Sequence, residues 1–315
     1  MFHVYICACS PDGGIYHYCL TQDGILVYQD QVNLDRPMYA IQSGHVLYVL
    51  LRAPFPDSDN SGLLSIPLDT NGKMGTPSSV QNTHGSVAAH LCMMNSDLFV
   101  ANYLSGNILK VPNLSVQHIG IGIDPVRQIS PHPHFVTPTP DHQYIAVVDL
   151  GLDTIFTYTS NLELCYTAHV PPGSGCRHLV FSPDGHYAYC VNELSSDISI
   201  FQYIAGKFQL LQTVPALPAD QKNSMSIAAA IRCTEEYVYV SHRGYNKISQ
   251  FRRIAGQLYH CVDLSCGGDW PRDFQLAGAH IVCTNEKSNT VSVIHQGKVL
   301  HHVPLPSPIC VSITT

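Results

Sequence analysis

The amino-acid sequence predicts an all-β fold made of seven repeats, forming a single domain over residues 1–315. A short apolar segment recurs along the chain at intervals of 43 to 51 residues, and the average interval is about 46 residues. Each copy lies within the same order of alternating segments and turn residues. No window shows the apolar period of a long helix. Four-stranded repeats of this length are typical of a seven-bladed β-propeller.

The recurring segment itself is a strand of four or five mostly apolar residues, and most copies end on a polar residue. Because every copy has the same surroundings, we expect the copies to occupy equivalent positions in seven blades. The seven copies end at these residues: Ala8, Leu51, Asn102, Asp149, Asn192, His242 and Asn285.

The other strands of a repeat are clearest around residues 179–214. A strand at 179–182 precedes the turn Pro183-Asp184-Gly185, in which proline presets φ and glycine accepts a positive φ. The recurring segment follows, and then a polar loop and two alternating strands, at 198–203 and 208–214. Each repeat is therefore predicted to contain four antiparallel strands.

The two ends of the chain are predicted to share one blade. The first recurring strand begins near Val4, so no innermost strand of its blade precedes it. At the other end, residues 308–313 hold the place that residues 271–276 hold in the preceding repeat. We expect this C-terminal strand to complete the N-terminal blade and to close the ring, leaving no open edge.

Composition excludes several classes of protein. Sixteen basic and 23 acidic residues give a net charge of −7, without any Lys/Arg run, so we expect no nucleic-acid partner. No apolar run approaches the roughly 18 residues of a membrane span, and the N-terminus does not resemble a secretory signal. The 12 cysteines are scattered, mostly in apolar runs, as buried reduced thiols would be. We expect a soluble cytoplasmic protein, a monomer or small homo-oligomer.

Charged residues recur at two equivalent positions, although only 12% of the chain is charged. His134 and Arg177 lie 15 residues before Asp149 and Asn192, and Arg272 reaches the same place in a shorter repeat. We interpret both positions as a ligand site at the channel of a propeller. The second position follows the recurring strand and is occupied by Arg52, Tyr103, Leu150, Glu193, Arg243 and Glu286.

These residue types suit an anionic cyclic ester. Arginine side chains bind carboxylate or phosphate through paired, charge-assisted hydrogen bonds. A His or Glu side chain among them can act as a general base near neutral pH. Hydrogen-bond donors can stabilise the oxyanion that forms when water attacks a lactone carbonyl.

Several motifs resemble the seven-bladed lactonase family, which includes propeller-type 6-phosphogluconolactonases and the fungal carboxy-muconate lactonizing enzyme. The longest runs from Ser174 to Ser196 and contains the Arg-His pair and the Asn-Glu pair. The others lie at residues 133–153, 241–244 and 271–286. The resemblance extends from about residue 85 to the end of the chain. It departs from the family pattern at Cys176, at His242 and in the apolar strand 227–231.

The resemblance implies a catalytic quartet of His134, Arg177, Glu193 and Arg243. The predicted substrate-binding set comprises Arg177, Arg243, Arg272, Glu286 and Tyr103. Ion pairs between neighbouring strands are the structural alternative for the arginines and Glu193.

The predicted function is hydrolysis of a small anionic sugar lactone, specifically 6-phosphogluconolactone to 6-phosphogluconate, with either His134 or Glu193 activating water. No cofactor is implied. No metal site is expected, because no pair of histidines has metal-ligand spacing beside Cys or carboxylate residues. A lactonizing cycloisomerase acting on a muconate-like acid and a non-catalytic interaction propeller are the alternatives.

Overall fold

A computed structural model describes residues 1–221 and 226–314. Over these residues the chain forms seven four-stranded antiparallel sheets, and the only helical element is a 3-10 turn at Ala219–Gln221. The prediction of an all-β fold with seven blades is confirmed. No helix in the described ranges has the length and apolarity needed to cross a membrane.

The strands follow one another closely along the chain. The first fourteen are β1 (Phe2–Ala8), β2 (Gly14–Leu20), β3 (Leu26–Asn33), β4 (Pro37–Ser43), β5 (Val46–Leu51), β6 (Asn60–Pro67), β7 (Gln81–Ser86), β8 (Ala88–Met94), β9 (Asp97–Asn102), β10 (Asn107–Lys110), β11 (Leu114–Gln117), β12 (Pro133–Pro138), β13 (Ile145–Asp149) and β14 (Thr154–Tyr158). The others are β15 (Leu164–His169), β16 (Cys176–Phe181), β17 (Tyr187–Asn192), β18 (Asp197–Ile204), β19 (Lys207–Pro215), β20 (Ile227–Cys233), β21 (Tyr237–Arg243), β22 (Lys247–Ile254), β23 (Gln257–Ser265), β24 (Pro271–Ala277), β25 (His280–Asn285), β26 (Thr290–His295), β27 (Lys298–Pro304) and β28 (Pro308–Thr314).

Burial varies across each sheet in a regular way. The second strand, which carries the recurring segment, is almost wholly buried, as in β13 and β17. The fourth strand alternates or is largely exposed, as in β3 and β27. A strand that is buried on both faces is a continuous run of apolar residues, whereas a strand with one solvent-exposed face alternates apolar and polar residues. The recurring segment stands out in the sequence for this reason.

The chain divides into two compact units. One comprises residues 1–88 and 264–315, and its described part holds the sheets β28-β1-β2-β3, β4-β5-β6-β7 and β24-β25-β26-β27. The other comprises residues 89–263, and its described part holds the sheets formed by β8–β11, β12–β15, β16–β19 and β20–β23. The single domain over residues 1–315 stays a prediction.

The first and last strands of the chain pair as predicted. β28 lies antiparallel to β1, with Val4 opposite Ile313 and Ile6 opposite Val311. Val4, Ile6 and Val311 belong to one buried cluster of apolar side chains. The C-terminal strand therefore completes the N-terminal sheet and covers an edge of β1 that would otherwise expose unpaired backbone groups.

Polar residues at the ends of the recurring strands bind nearby loops. One carboxylate oxygen of Asp149 accepts hydrogen bonds from the backbone of His132, Gly151 and Leu152. The Asn192 side chain donates to Asp197. These hydrogen bonds satisfy polar groups of the loops that take no part in strand pairing.

Candidate active site

Two of the predicted residues occupy β-bulges at equivalent places in the unit that spans residues 89–263. In the pairing of β12 with β13, Pro133 faces Asp149 and Phe135 faces Val148, so His134 is the extra residue. Arg177 is likewise the extra residue between β16 and β17. A bulge turns one side chain away from the regular alternation of its strand. This geometry explains why two large polar residues begin otherwise apolar strands.

Glu193 brings the predicted arginines together. It follows directly after β17, and its carboxylate is buried, with 3% of the side chain exposed. Its Oε2 atom lies 3.0 Å from Arg177 Nε and 2.7 Å from Arg243 Nη2. Both arginines are also buried, so these are ion pairs in an environment of low dielectric.

The backbone of β20 holds the two arginines in place. Arg177 Nη1 donates to the carbonyl oxygen of Ala229 at 2.6 Å, and Arg243 Nη2 donates to that of Ala228 at 2.9 Å. Bonds to fixed carbonyl oxygens restrict side chains that otherwise have much rotational freedom. The side chains of residues 227–231 in β20 are apolar, but the backbone carbonyl oxygens of this strand accept the hydrogen bonds of both arginines.

A third arginine, Arg127, completes the cluster and was missed in the sequence. Its Nη2 atom lies 2.6 Å from Glu193 Oε1 and 3.4 Å from the hydroxyl oxygen of Tyr103. It is the most exposed of the three arginines, with 37% of its side chain accessible. Arg127 lies in the long connection between β11 and β12, outside the repeated strands, so alignment of the repeats does not reveal it.

The connection that carries Arg127 is fixed by hydrogen bonds. Asp124 Oδ1 accepts from the backbone of Val126 and Arg127. The buried Gln128 side chain accepts from the backbone of Ile123 and Asp124, and its amide donates to the carbonyl oxygen of Leu150 at 2.9 Å. These bonds hold the segment before β12 in a set conformation, so Arg127 is positioned before any ligand arrives.

The electrostatic balance of the cluster favours anions. Burial by itself would raise the pKa of Glu193, but attraction by Arg243 and Arg177, with smaller contributions from His134 and Arg127, holds it well below the usual range. Glu193 is therefore a carboxylate at neutral pH. Three guanidinium groups against one carboxylate leave a surplus of positive charge.

Aromatic rings surround His134. Tyr103 meets the His134 ring edge-on at a centroid distance of 5.4 Å and stacks on His132 at 4.4 Å. The ring of His178 lies 5.3 Å from the His134 ring. His134 is 9% exposed, so it lies in a largely desolvated pocket of rings.

His178 is buried and orients Arg177. Its Nε2 atom lies 3.0 Å from Arg177 Nη1, and because arginine is only a donor, this nitrogen accepts. Burial, followed by repulsion from Arg177, holds the pKa of His178 well below its ordinary range. His178 is thus a neutral acceptor at Nε2, while its buried Nδ1 has no hydrogen-bond partner among the described residues.

The remaining predicted residues, Arg272 and Glu286, lie in the unit that holds residues 1–88 and 264–315. Arg272 is the extra residue of a bulge between β24 and β25. Its Nη1 atom lies 3.1 Å from Glu286 Oε2, and both side chains are partly exposed. Their substrate-binding role stays a prediction.

The profile of a family described as "Lactonase, 7-bladed beta-propeller" matches residues 3–313. The chain belongs to this family. This lactonase is 29% identical to the 6-phosphogluconolactonase of Bacillus subtilis (strain 168) over 332 residues, covering 95% of the chain and 93% of that relative.

Two solved structures extend the comparison of this lactonase. A protein from Lactobacillus plantarum is 29% identical, with a TM-score of 0.89 and complete coverage of both chains. The Pseudomonas aeruginosa periplasmic gluconolactonase is 24% identical, with a TM-score of 0.88, covering 100% of this chain and 99% of that one. The second likeness is one of fold. Family membership identifies the chain as a lactone-hydrolysing enzyme.

Within the lactonase, the cluster in residues 89–263 can bind an anion and stabilise developing negative charge. Fixed guanidinium groups in a buried site stabilise an oxyanion without reorganising during the reaction. The sequence left His134 and Glu193 as alternative bases. A carboxylate with a strongly lowered pKa and three guanidinium partners is a weak proton acceptor, so the geometry favours His134.

Proposed function

We propose that this lactonase hydrolyses 6-phospho-D-glucono-1,5-lactone to 6-phosphogluconate, using the cluster around Glu193. The observation that carries the proposal is the convergence of Arg127, Arg177 and Arg243 on one buried carboxylate, at 2.6 to 3.0 Å. A phosphorylated lactone is an anion, and its carbonyl gains further negative charge during hydrolysis. The guanidinium groups of the cluster can donate hydrogen bonds to the phosphate and to the oxyanion, and so stabilise both charges.

His134 is the proposed general base. It removes a proton from water as the water oxygen forms a bond to the lactone carbonyl carbon. Arg177 and Arg243 stabilise the resulting oxyanion. When the tetrahedral intermediate collapses, the bond between the carbonyl carbon and the ring oxygen breaks, and the proton on His134 passes to that oxygen. The product is the open-chain acid, which leaves as a carboxylate.

Glu193 is proposed as a positioning residue. Its two oxygen atoms contact three guanidinium groups, so it fixes their spacing before the anion binds. The similarity to the 6-phosphogluconolactonase of Bacillus subtilis supports the phosphorylated substrate. A cytoplasmic location, a place in the pentose phosphate pathway, action as a monomer or small homo-oligomer, and independence of a cofactor belong to the same proposal.

The test compares wild type with Arg177→Ala and His134→Asn on freshly generated 6-phosphogluconolactone. We expect wild type to exceed spontaneous hydrolysis clearly, and each variant to lose about 10²–10⁴-fold in kcat/KM. The matched control is Arg252→Ala, because Arg252 is an exposed arginine on β22 in the same unit. It should retain wild-type activity.

Three outcomes would contradict the proposal. Wild-type turnover no faster than the spontaneous reaction would refute lactonase activity on this substrate. Conversion of a carboxymuconate instead would establish the cycloisomerase alternative. Retention of a defined protein partner, without either reaction, would indicate an interaction propeller.

A further inference from the structure

A second cluster of reactive side chains lies on the first sheet, in the unit that holds residues 1–88. His3 on β1 faces Cys19 on β2 directly, and His17 is two residues before Cys19 on the same strand. Asp30 on β3 faces His17 from the other side. Because residues two apart share a face and opposite residues are adjacent, all four side chains project from one face of the sheet.

The atoms of this cluster lie at the separations of a metal ligand set. His3 Nδ1 is 3.0 Å from His17 Nε2 and 3.7 Å from Cys19 Sγ. All three atoms lie within 4.8 Å of one another. A tetrahedral zinc ion with bonds of about 2.1 Å to nitrogen and about 2.3 Å to sulfur would separate its ligand atoms by roughly 3.4–3.6 Å. The two contacts of His3 Nδ1 differ from those separations by a few tenths of an ångström.

Asp30 prepares His17 for such a role. Its Oδ1 atom lies 3.0 Å from His17 Nδ1, and its Oδ2 atom accepts from the backbone of Met74 at 2.9 Å. A histidine ring that donates from Nδ1 to this carboxylate presents a lone pair at Nε2. Carboxylates orient metal-binding histidines in this way.

Neighbouring groups pack closely around the cluster. His17 is 1% exposed and stacks on Tyr5 at a centroid distance of 4.7 Å, while Cys19 is 7% exposed. Gly72 closes over His3, and a Cβ atom there would lie 2.5 Å from His3 Nδ1. His3 is only partly buried and is the most exposed of the three residues.

We propose that His3, His17 and Cys19 bind one Zn²⁺ ion, with water as the fourth ligand. Histidine nitrogen and cysteine sulfur are the donors that zinc prefers, and three protein ligands leave one position open. The ion would join β1 to β2 in the sheet that also contains the C-terminal strand.

The site was missed in the sequence because spacing was considered along the chain. His3 is 14 residues from His17, and a sequence separation of that length does not determine the distance between the two side chains until the strand register is known. Only the pairing of β1 with β2 makes His3 the direct neighbour of Cys19.

The experiment titrates Co²⁺ into untagged, metal-free, full-length protein under reducing conditions, because an affinity tag would itself bind metal. We expect one equivalent to bind with a sulfur-to-cobalt charge-transfer band, and Zn²⁺ to displace it. Zn²⁺ should also raise Tm with increasing concentration. Cys19→Ser should abolish the band, whereas Cys165→Ser, at a half-buried cysteine on β15, should retain it.

A second pair of variants tests the orienting carboxylate. Asp30→Asn should weaken Co²⁺ binding about 10–100-fold. Asp23→Asn, at an exposed position in the turn after β2, should leave it unchanged. Absence of stoichiometric binding by wild type, a band that persists in Cys19→Ser, or failure of Zn²⁺ to displace Co²⁺ would each overturn the assignment. Far-ultraviolet circular dichroism of every variant verifies that it is folded.

Discussion

At the scale of single residues, the Glu193 carboxylate determines the character of the candidate active site. A buried carboxylate with two buried arginines is expensive to desolvate, and its geometry must compensate for that cost. Here Arg127 binds the second oxygen, and carbonyl oxygens of β20 accept from the two buried guanidinium groups. The network therefore combines the structural and the functional interpretations of these residues. The same ion pairs that connect neighbouring strands also fix the positions of the guanidinium groups that we propose bind the anion.

Replacement of this carboxylate tests that dual role through stability. Glu193→Gln leaves the guanidinium groups of Arg177 and Arg243 buried without their counter-charge. We expect the free energy of unfolding at neutral pH to fall by about 3–5 kcal/mol. Urea denaturation measures this change. Glu236→Gln, at an exposed position, is the control and should stay within about 0.5 kcal/mol of wild type.

The pH dependence of that difference follows from the lowered pKa of Glu193. A carboxyl whose folded pKa lies below its unfolded value stabilises the fold fully above the unfolded value, which is ordinarily 4.5. This contribution declines as pH falls from there toward the folded pKa. The gap between wild type and Glu193→Gln should therefore be constant near neutrality and shrink in acid. A gap that widens in acid would contradict the assigned direction of the shift.

Residue-scale prediction from the sequence succeeded where the repeats could be aligned. The equivalence of His134 and Arg177 follows from their equal distance to the recurring strand, and the structure gives both the same bulge. The ion pairs of Glu193 with Arg177 and Arg243 correspond to the structural alternative considered for these residues. Arg127 could not be predicted from the repeats, because its position depends on the path of the connection between β11 and β12.

At the scale of elements, hydrogen bonds hold the connection between β11 and β12, which carries Arg127, in one conformation. The buried Gln128 side chain makes three hydrogen bonds, to the backbone of Ile123, Asp124 and Leu150. Loops that position functional side chains are often held in this manner on a firm scaffold. The bulges of β12 and β16 set the directions of the His134 and Arg177 side chains. None of these devices has a simple sequence signature, because a bulge shows itself only once both strands are paired.

Removal of the Gln128 anchor should affect binding more than chemistry. Gln128→Ala leaves buried backbone groups without partners and frees the segment that carries Arg127. We expect KM for the phosphorylated lactone to rise about tenfold with a smaller change in kcat, because His134 and Arg177 stay on their strands. Gln143→Ala, in an exposed turn, is the control. A fall in kcat with KM unchanged would instead place Arg127 in the chemical step.

At the scale of the whole molecule, the fold was predictable because its signal is repeated. Seven copies of one strand, each followed by a turn and two further strands, are hard to explain in any other way. The pairing of β28 with β1 was predictable from what the first repeat lacks. The division of residues 1–315 into two compact units had no counterpart in the sequence, since the repeats follow one another without an evident break.

The pairing of the chain ends carries the last prediction. Val311 is 1% exposed and packs in the cluster with Val4 and Ile6, so Val311→Ala should reduce the free energy of unfolding by about 2 kcal/mol. Val27→Ala, on the outer strand of the same sheet and 44% exposed, should change it by less than about 0.5 kcal/mol.

Deletion of residues 307–315 should have a much larger effect, because it removes a whole strand and uncovers the edge of β1. We expect a strongly lowered Tm and aggregation, measured by circular dichroism and light scattering. A synthetic peptide of the deleted residues should restore Tm by adding back the missing strand. If the truncated chain melts like wild type, the β1–β28 pair contributes nothing to stability. Recovery with the peptide, but not with a scrambled one, would show that sequence-specific pairing of the two ends stabilises the fold.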